Sequence, residues 1–266
     1  MSSRRLANRL DRAADLCGRS YVNLVRAIRG SRPVAAEHWR KISVVLNSIF
    51  RTQNSMHSKT WLIAPSSKIR SREVRQLLGE VNIGGWALDA ATTDLLWSIL
   101  GELRPTTLME FGSGLSTIVL AGYCKRLGAA WRPMVWSIEQ NAEVLEQTRR
   151  RLQVACLDSF VNLVHAPLSA ECTYQIDTKL LARDLDGRRV DFLLIDGPSG
   201  KPGCRQTVLK QVARFCRPGA PWFLDDAFRD AEFDVLRTWM ATPGIRVSGI
   251  YPVGKGFATG LVEAPW

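Results

Sequence analysis

The sequence predicts an α/β protein: a doubly wound, mostly parallel seven-stranded sheet with a C-terminal antiparallel hairpin, preceded by a basic helical extension. Three observations predict it. From about residue 87 to residue 241, short apolar runs alternate with segments of helical spacing, the pattern of repeated βα units. The run VDFLLID, residues 190–196, is nearly all apolar, as a strand covered on both faces must be. Near the end of the chain, IRVSGIYPV and FATGLVEA flank Gly254-Lys255-Gly256, which marks a hairpin.

The elements follow in order. Leu88, Leu95, Leu96, Ile99, Leu100 and Leu103 recur at helical spacing over residues 87–103. Strand 107–112 runs through a glycine turn into helix 115–127. Strand 133–139 (PMVWSIE) leads to helix 141–153, where Asn141 is a good N-cap and Glu143 lies in the positive first turn. Strand 160–165, an irregular loop and strand 190–196 come next. Helix 203–216, strand 221–225 (PWFLD) and helix 230–241 complete the alternation before the hairpin.

Charge divides the chain. The net charge is +11. Residues 1–80 carry 16 basic and 5 acidic side chains, whereas residues 81–266 carry 20 of each, so the whole excess sits in the first 80. Two units are expected: an extension over 1–80 and an α/β domain over 81–266. Residues 4–29 fit a helix with Leu6, Leu10, Ala13, Cys17, Tyr21, Leu24 and Ile28 on one stripe and Arg4, Arg5, Arg9, Arg12, Arg19, Arg26 and Arg29 away from it. Such a helix can pack its stripe on the larger domain, lie on an anionic membrane surface, or pair with a second copy as a homodimer. It also resembles a targeting segment, against which Asp11 and Asp15 count. Arg32-Pro33 ends it, residues 38–50 suggest a second helix, and residues 51–75 read as an irregular connector. Nucleic acid is a weaker expectation, because Tyr21, Trp39, Phe50 and Trp61 are too sparse for a stacking platform.

No run approaches the ~18 apolar residues of a membrane span, and the six scattered cysteines include no CxxC pair. The expectation is reduced thiols in a cytoplasmic protein, peripheral to a membrane at most, with no structural zinc.

The chemistry concentrates at TLMEFGSGLST, residues 107–117. Gly112 and Gly114 permit close backbone approach, and the helix behind them offers free N–H groups. A dinucleotide would require G-x-G-x-x-G, but the last position here is Thr117, and Glu110 sits badly beside a pyrophosphate. A carboxylate suits a cation or an ammonium instead.

The stretch E-F-G-S-G-L-S-T closely resembles the first motif of class I S-adenosylmethionine (SAM)-dependent methyltransferases, and the resemblance extends over roughly residues 85–266. It implies a Rossmann-like methyltransferase fold with SAM held by Glu110, Phe111, Gly112, Ser113, Gly114, Ser116, Thr117, Glu139, Gln140 and Asp196. Glu139, ending strand 133–139, stands where the family uses an acid to accept both ribose hydroxyls. Asp196-Gly197-Pro198 stands where the family turns toward the methyl group and the acceptor. DGPSG lacks the aromatic of the N/D-P-P-Y/F motif, which argues against methylation of a nucleic-acid base. The aspartates Asp196, Asp225 and Asp226 at two strand ends are similar to the acids of metal-dependent O-methyltransferases of the catechol and macrolide-sugar kinds. That similarity implies the three as ligands of Mg²⁺. DGPSG, Arg205 and LDDAFR also look like a less characterised bacterial branch of the superfamily. Asp196, Arg205 and His165 are the candidate catalytic residues, with Arg229 and Trp86 nearby candidates for the acceptor. The expected activity is methyl transfer to a hydroxyl of a small molecule or glycan. An RNA or protein methyltransferase docking through the basic extension, and a non-catalytic protein on the same fold, are the alternatives.

Overall fold

The computed structural model describes residues 34–35, 68–79, 88–251 and 253–263. The helices expected over 4–29 and 38–50, and Trp86, lie outside the described residues.

Among the described residues, eight strands form one sheet: β1 (Val34–Ala35), β2 (Thr107–Phe111), β3 (Met134–Glu139), β4 (Val161–His165), β5 (Phe192–Ile195), β6 (Ala220–Leu224), β7 (Ile245–Tyr251) and β8 (Phe257–Val262). Their order is β1-β7-β8-β6-β5-β2-β3-β4. Strands β2 to β6 pair in parallel, and β8 inserts antiparallel between β6 and β7. This is the expected seven-stranded sheet with its reversed hairpin. The two-residue β1 adds an antiparallel edge, with Val34 opposite Ile250. The chain winds from β2 outward through β3 and β4, then returns to lay β5 on the other side of β2. Connections to either side of β2 diverge there, which opens a crevice at the carboxyl ends of β2, β3 and β5.

Period-2 alternation sends successive side chains to opposite faces, and both faces are covered. Met109, Phe111, Trp136, Ile138, Leu193 and Ile195 pack into one buried cluster. Leu108, Val135, Phe192 and Leu194 belong to the other, with Val119 and Leu120 of the helix Leu115–Leu127. Glu110 shares the parity of Leu108, so this lone acid in β2 points into the second layer and is fully buried. The amino ends of β2 and β5 are locked together by Asp191, whose carboxylate accepts from the N–H groups of Thr106 and Thr107 at 2.9 to 3.1 Å.

Three local expectations need correction. Part of the connector expected over 51–75 is ordered, because Arg72–Leu78 forms a helix capped by Ser71. Val74 and Leu78 are buried in the second layer. Gly122, lacking a side chain, lets Leu77 sit directly on the helix Leu115–Leu127. Two turns are too short for the apolar period to stand out. The helix expected over 203–216 is broken into a 3₁₀ turn Cys204–Thr207, an α-helix Val208–Val212 and a second 3₁₀ turn Ala213–Phe215. The Gln206 carbonyl there accepts from the Trp239 indole at 2.9 Å instead of serving a continuous helix. Finally, the cysteines are not all scattered in space: Cys172 and Cys204, 32 residues apart in sequence, lie side by side with Cα atoms 5.1 Å apart. Among the described residues, no helix is long and apolar enough to cross a membrane.

Candidate functional site

The turn between β2 and the helix Leu115–Leu127 is built around buried hydrogen bonds. Thr117 Oγ1 accepts from the Gly114 N–H at 2.9 Å and donates to Glu110 Oε2 at 2.7 Å. Ser137 Oγ donates to the same oxygen at 2.7 Å. Glu110 therefore secures the helix start from beneath and does not line the crevice. Its Oε1 has no hydrogen-bond partner among the described residues. Burial pushes its pKa up to about 7, even though the serine and threonine hydroxyls pull it down. An acid with a raised folded pKa binds more protons folded than unfolded, so stability falls as pH rises between about 4.5 and 7. Glu110→Gln keeps an oxygen for Thr117 and Ser137. The variant should match the wild type near pH 4.5 and exceed its stability at pH 8 by up to about 3 kcal/mol. Urea unfolding at the two pH values reads this, and parallel pH profiles would refute the burial account.

At the crevice floor, Gly112 has φ +90°. A Cβ there would lie 2.9 Å from the Gly197 amide nitrogen and 3.2 Å from the Asp196 carbonyl carbon. The ends of β2 and β5 thus meet backbone to backbone, held by the Gly197 N–H donating to the Phe111 carbonyl at 2.7 Å. Phe111 packs beneath this contact against Tyr174, with ring centroids 5.4 Å apart.

Glu139 closes the far wall. Its Oε2 accepts from the Ser113 N–H at 2.7 Å, and its Oε1 accepts from the Asn141 N–H at 2.8 Å. One carboxylate therefore fixes both the glycine turn and the start of the helix Ala142–Val154. Gln140 reaches across the opening, donating to the Ser199 carbonyl at 2.8 Å and accepting from the Ser199 N–H at 3.0 Å. Between these groups lies a cavity of about 290 Å³, lined by Gly112, Ser113, Glu139, Asp196, Tyr174 and Arg229 among others.

Asp196, Asp225 and Asp226 converge as expected, with one carboxylate oxygen of each within 4.8 Å of the others. Basic groups fill the space around them. The buried Arg205 donates from Nη1 to the Asp225 carbonyl at 2.9 Å and from Nη2 to the Asp196 carbonyl. Nη2 also lies 3.5 Å from Asp196 Oδ1 and 3.4 Å from Asp226 Oδ2. Arg229 meets Asp226 Oδ2 at 2.9 Å, and Lys255 lies 3.4 Å from Asp226 Oδ1. Glu232 sits 3.8 Å from Arg205 Nε. Burial pushes Asp196 up to about 7 against the opposing pull of Arg205. It also raises Asp225 well above the usual carboxylate range, with Asp196 and Asp226 adding to the rise. Burial alone would lower the Arg205 pKa, but the surrounding carboxylates, Asp196 first, reverse it.

Of the residues expected from the sequence, Gly112, Ser113, Glu139, Gln140, Asp196, Arg205 and Asp226 line the cavity. Glu110, Phe111, Ser116, Thr117 and Asp225 lie buried and are absent from its lining, and Gly114 caps the helix behind it. His165 is exposed at the end of β4, with Nε2 3.2 Å from the Gln140 carbonyl, and does not join Asp196 and Arg205. Tyr174 is the wall residue that sequence reasoning missed. Its buried hydroxyl has no partner among the described residues, and burial raises its pKa, with Glu139 contributing. It sits in the irregular loop after β4, where no periodicity marks it.

Residues 109–227 match the family model of a methyltransferase domain. No protein of curated function matches the chain. Among solved structures, the chain is similar to the O-methyltransferase TomG from Streptomyces achromogenes, involved in tomaymycin synthesis and solved with SAM. The two are 16% identical, with a TM-score of 0.53, over 82% of this chain and 96% of that one. Cofactor-bound Rv0187 from MTB is 21% identical, with a TM-score of 0.51, over 72% of this chain and 88% of that one. The O-methyltransferase from Bacillus cereus in complex with SAH is 13% identical, with a TM-score of 0.50, over 81% and 97%. These likenesses establish a shared fold.

Proposed function

We propose that the chain is a SAM-dependent methyltransferase that transfers a methyl group from SAM to a hydroxyl of a small molecule or glycan, a reading supported by the methyltransferase-domain model that matches residues 109–227. One observation carries the reading. Gly112, Glu139 and Asp196, at the carboxyl ends of three adjacent strands, line a single crevice at the point where the winding of the sheet reverses.

The residues present fit SAM. The backbone contact at Gly112 leaves a floor without side chains, and the carboxylates of Glu139, Asp196 and Asp226 face a molecule bearing a sulfonium and an ammonium. Glu139 retains lone pairs beyond those given to Ser113 and Asn141, enough to accept from a vicinal diol. The Tyr174 hydroxyl, without a partner in the protein, is a donor for the bound molecule. SAM supplies a methyl group already activated for in-line displacement.

The protein must then align the acceptor and take its proton. Asp196 is the base in this reading. It lies at the crevice, and a carboxyl near 7 is poised to exchange a proton at neutral pH. Arg205 and Arg229 supply the positive charge beside these aspartates in this reading. Oxygen donors are right for Mg²⁺, but both oxygens of Asp226 already face fixed cations. Any ion joining Asp196 to Asp226 would also crowd Arg205 Nη2. Turnover should therefore persist in excess chelator, with no change in melting temperature on adding Mg²⁺. Loss of activity restored by Mg²⁺ would return the three aspartates to a metal role.

The direct test is calorimetry with SAM and with SAH. Glu139→Ala should weaken both about ten- to a hundredfold, since a charge-assisted hydrogen bond contributes about 1.5–3 kcal/mol. Unchanged affinity would remove Glu139 from the ribose site, and no heat at all from the folded wild type would end the methyltransferase reading. Within the basic stretch 1–80, β1 pairs with β7 and the helix Arg72–Leu78 packs into the buried layer of the catalytic unit.

A further inference from the structure

A second cavity, of about 270 Å³, adjoins the first and shares Ser199, Arg205 and Arg229 with it. The two differ in charge. The first is lined by three carboxylates (Glu139, Asp196, Asp226) against two guanidiniums (Arg205, Arg229). The second is lined by Lys201, Arg205 and Arg229 against Glu232 alone. Its remaining walls are apolar or backbone, from the loop 198–204 and from Ala231 and Val235. The two shared guanidiniums, Arg205 and Arg229, mark the boundary between the two cavities. Arg205 turns its Nη atoms toward Asp196 and Asp226 and its Nε toward Glu232. Lys201 stands exposed in that loop with no acidic partner among the described residues.

We infer that the second cavity is the acceptor site and that it selects a small organic anion, a carboxylate or phosphate that also carries the hydroxyl to be methylated. The inference rests on the methyltransferase reading only for the fate of that hydroxyl. A cationic cofactor belongs in the negatively lined cavity, and its acceptor in the positively lined one. Lys201 and Arg229 take the anionic group, the apolar wall takes the carbon body, and the hydroxyl is directed to the boundary where Asp196 lies. The base then removes the hydroxyl proton, an O–C bond forms to the methyl group, and the S–C electron pair returns to sulfur as SAH is released.

Calorimetry on the full chain tests this, with and without saturating SAH. The probes are 4-hydroxybenzoate and 4-hydroxyphenyl phosphate, with neutral 4-hydroxybenzamide for comparison. At least one anion should bind about tenfold or more tightly than the amide, as one added charge-assisted contact requires. Salt should narrow the gap. Lys201→Glu, at an exposed position, should erase the preference and leave SAH affinity unchanged. An amide that binds as well as both anions, silence from both anions, or a preference that survives Lys201→Glu would each overturn the inference. The two readings fail separately. SAH binding without anion preference sinks the acceptor site alone, whereas anion preference without SAH binding sinks the methyltransferase reading and leaves an anion site.

Discussion

Arg205→Met should cost about 3–5 kcal/mol of stability at pH 8, the range for removing one partner from a buried ion pair, and should abolish methyl transfer. Arg205 is the common cation of Asp196, Asp226 and Glu232, and it also satisfies the Asp225 and Asp196 carbonyls. Methionine fills similar volume but leaves Asp196 and Glu232 without an ion-pair partner among the described residues, and Asp226 with Arg229 and Lys255 only. Their remedy is to bind protons. With folded pKa values raised above the unfolded ones, the variant's native state holds extra protons, so its stability should recover as pH falls. The deficit should be largest at pH 8 and clearly smaller at pH 5.5, measured by chemical unfolding. Arg205→Lys keeps the charge and loses the fork, so it should fall between the two. A methionine variant as stable as the wild type at pH 8 would mean that the cluster is held by Arg229 and Lys255 alone.

Gly112→Ala should be nearly as damaging for a steric reason. The left-handed backbone costs a non-glycine residue about 1–2 kcal/mol, and an extra methyl in a filled space about 1–3 kcal/mol more. Here the obstruction is the Gly197 amide nitrogen at 2.9 Å, part of the backbone, which no rotamer change relieves. The ends of β2 and β5 would part, carrying Asp196 away from the turn. A loss of about 2–5 kcal/mol in unfolding experiments is expected. So is a drop of the order of a hundredfold in kcat/KM, since displacement of about 1 Å has that effect. Gly114→Ala is the comparison, because nothing lies within 4 Å of the position its Cβ would take. Equal effects at the two glycines would show that the close contact is not what matters.

Much of the fold was legible because its signals are local. VDFLLID could only be a strand buried on both faces, and β5 has no exposed residue. Asn141 caps its helix through hydrogen bonds to the N–H groups of Glu143 and Val144. The short helix Arg72–Leu78 and the broken segment after Gly203 were not legible, since tertiary contacts with Gly122 and Trp239 support them. The candidate site divides in the same way. Gly112, Glu139 and Asp196 stand at strand ends, and strand ends of one parallel sheet share an edge. Glu110 seemed equally well placed, but alternation along β2 turns it into the layer below.

What the sequence determined by itself was the order of strands and helices, the glycine turn, and which carboxylates end which strands, because periodicity and turn chemistry act over a few residues. Only the tertiary structure decided which charges meet. Lys255 lies 29 residues beyond Asp226, yet the hairpin delivers it there. β8 runs antiparallel beside β6, with Ala258 opposite Leu224, so the tip of the hairpin returns to the edge where β6 ends. Arg205 likewise becomes the cation of three acids only when β5 and β6 lie side by side. Electrostatic energy depends on distance through space, and folding sets that distance independently of separation along the chain.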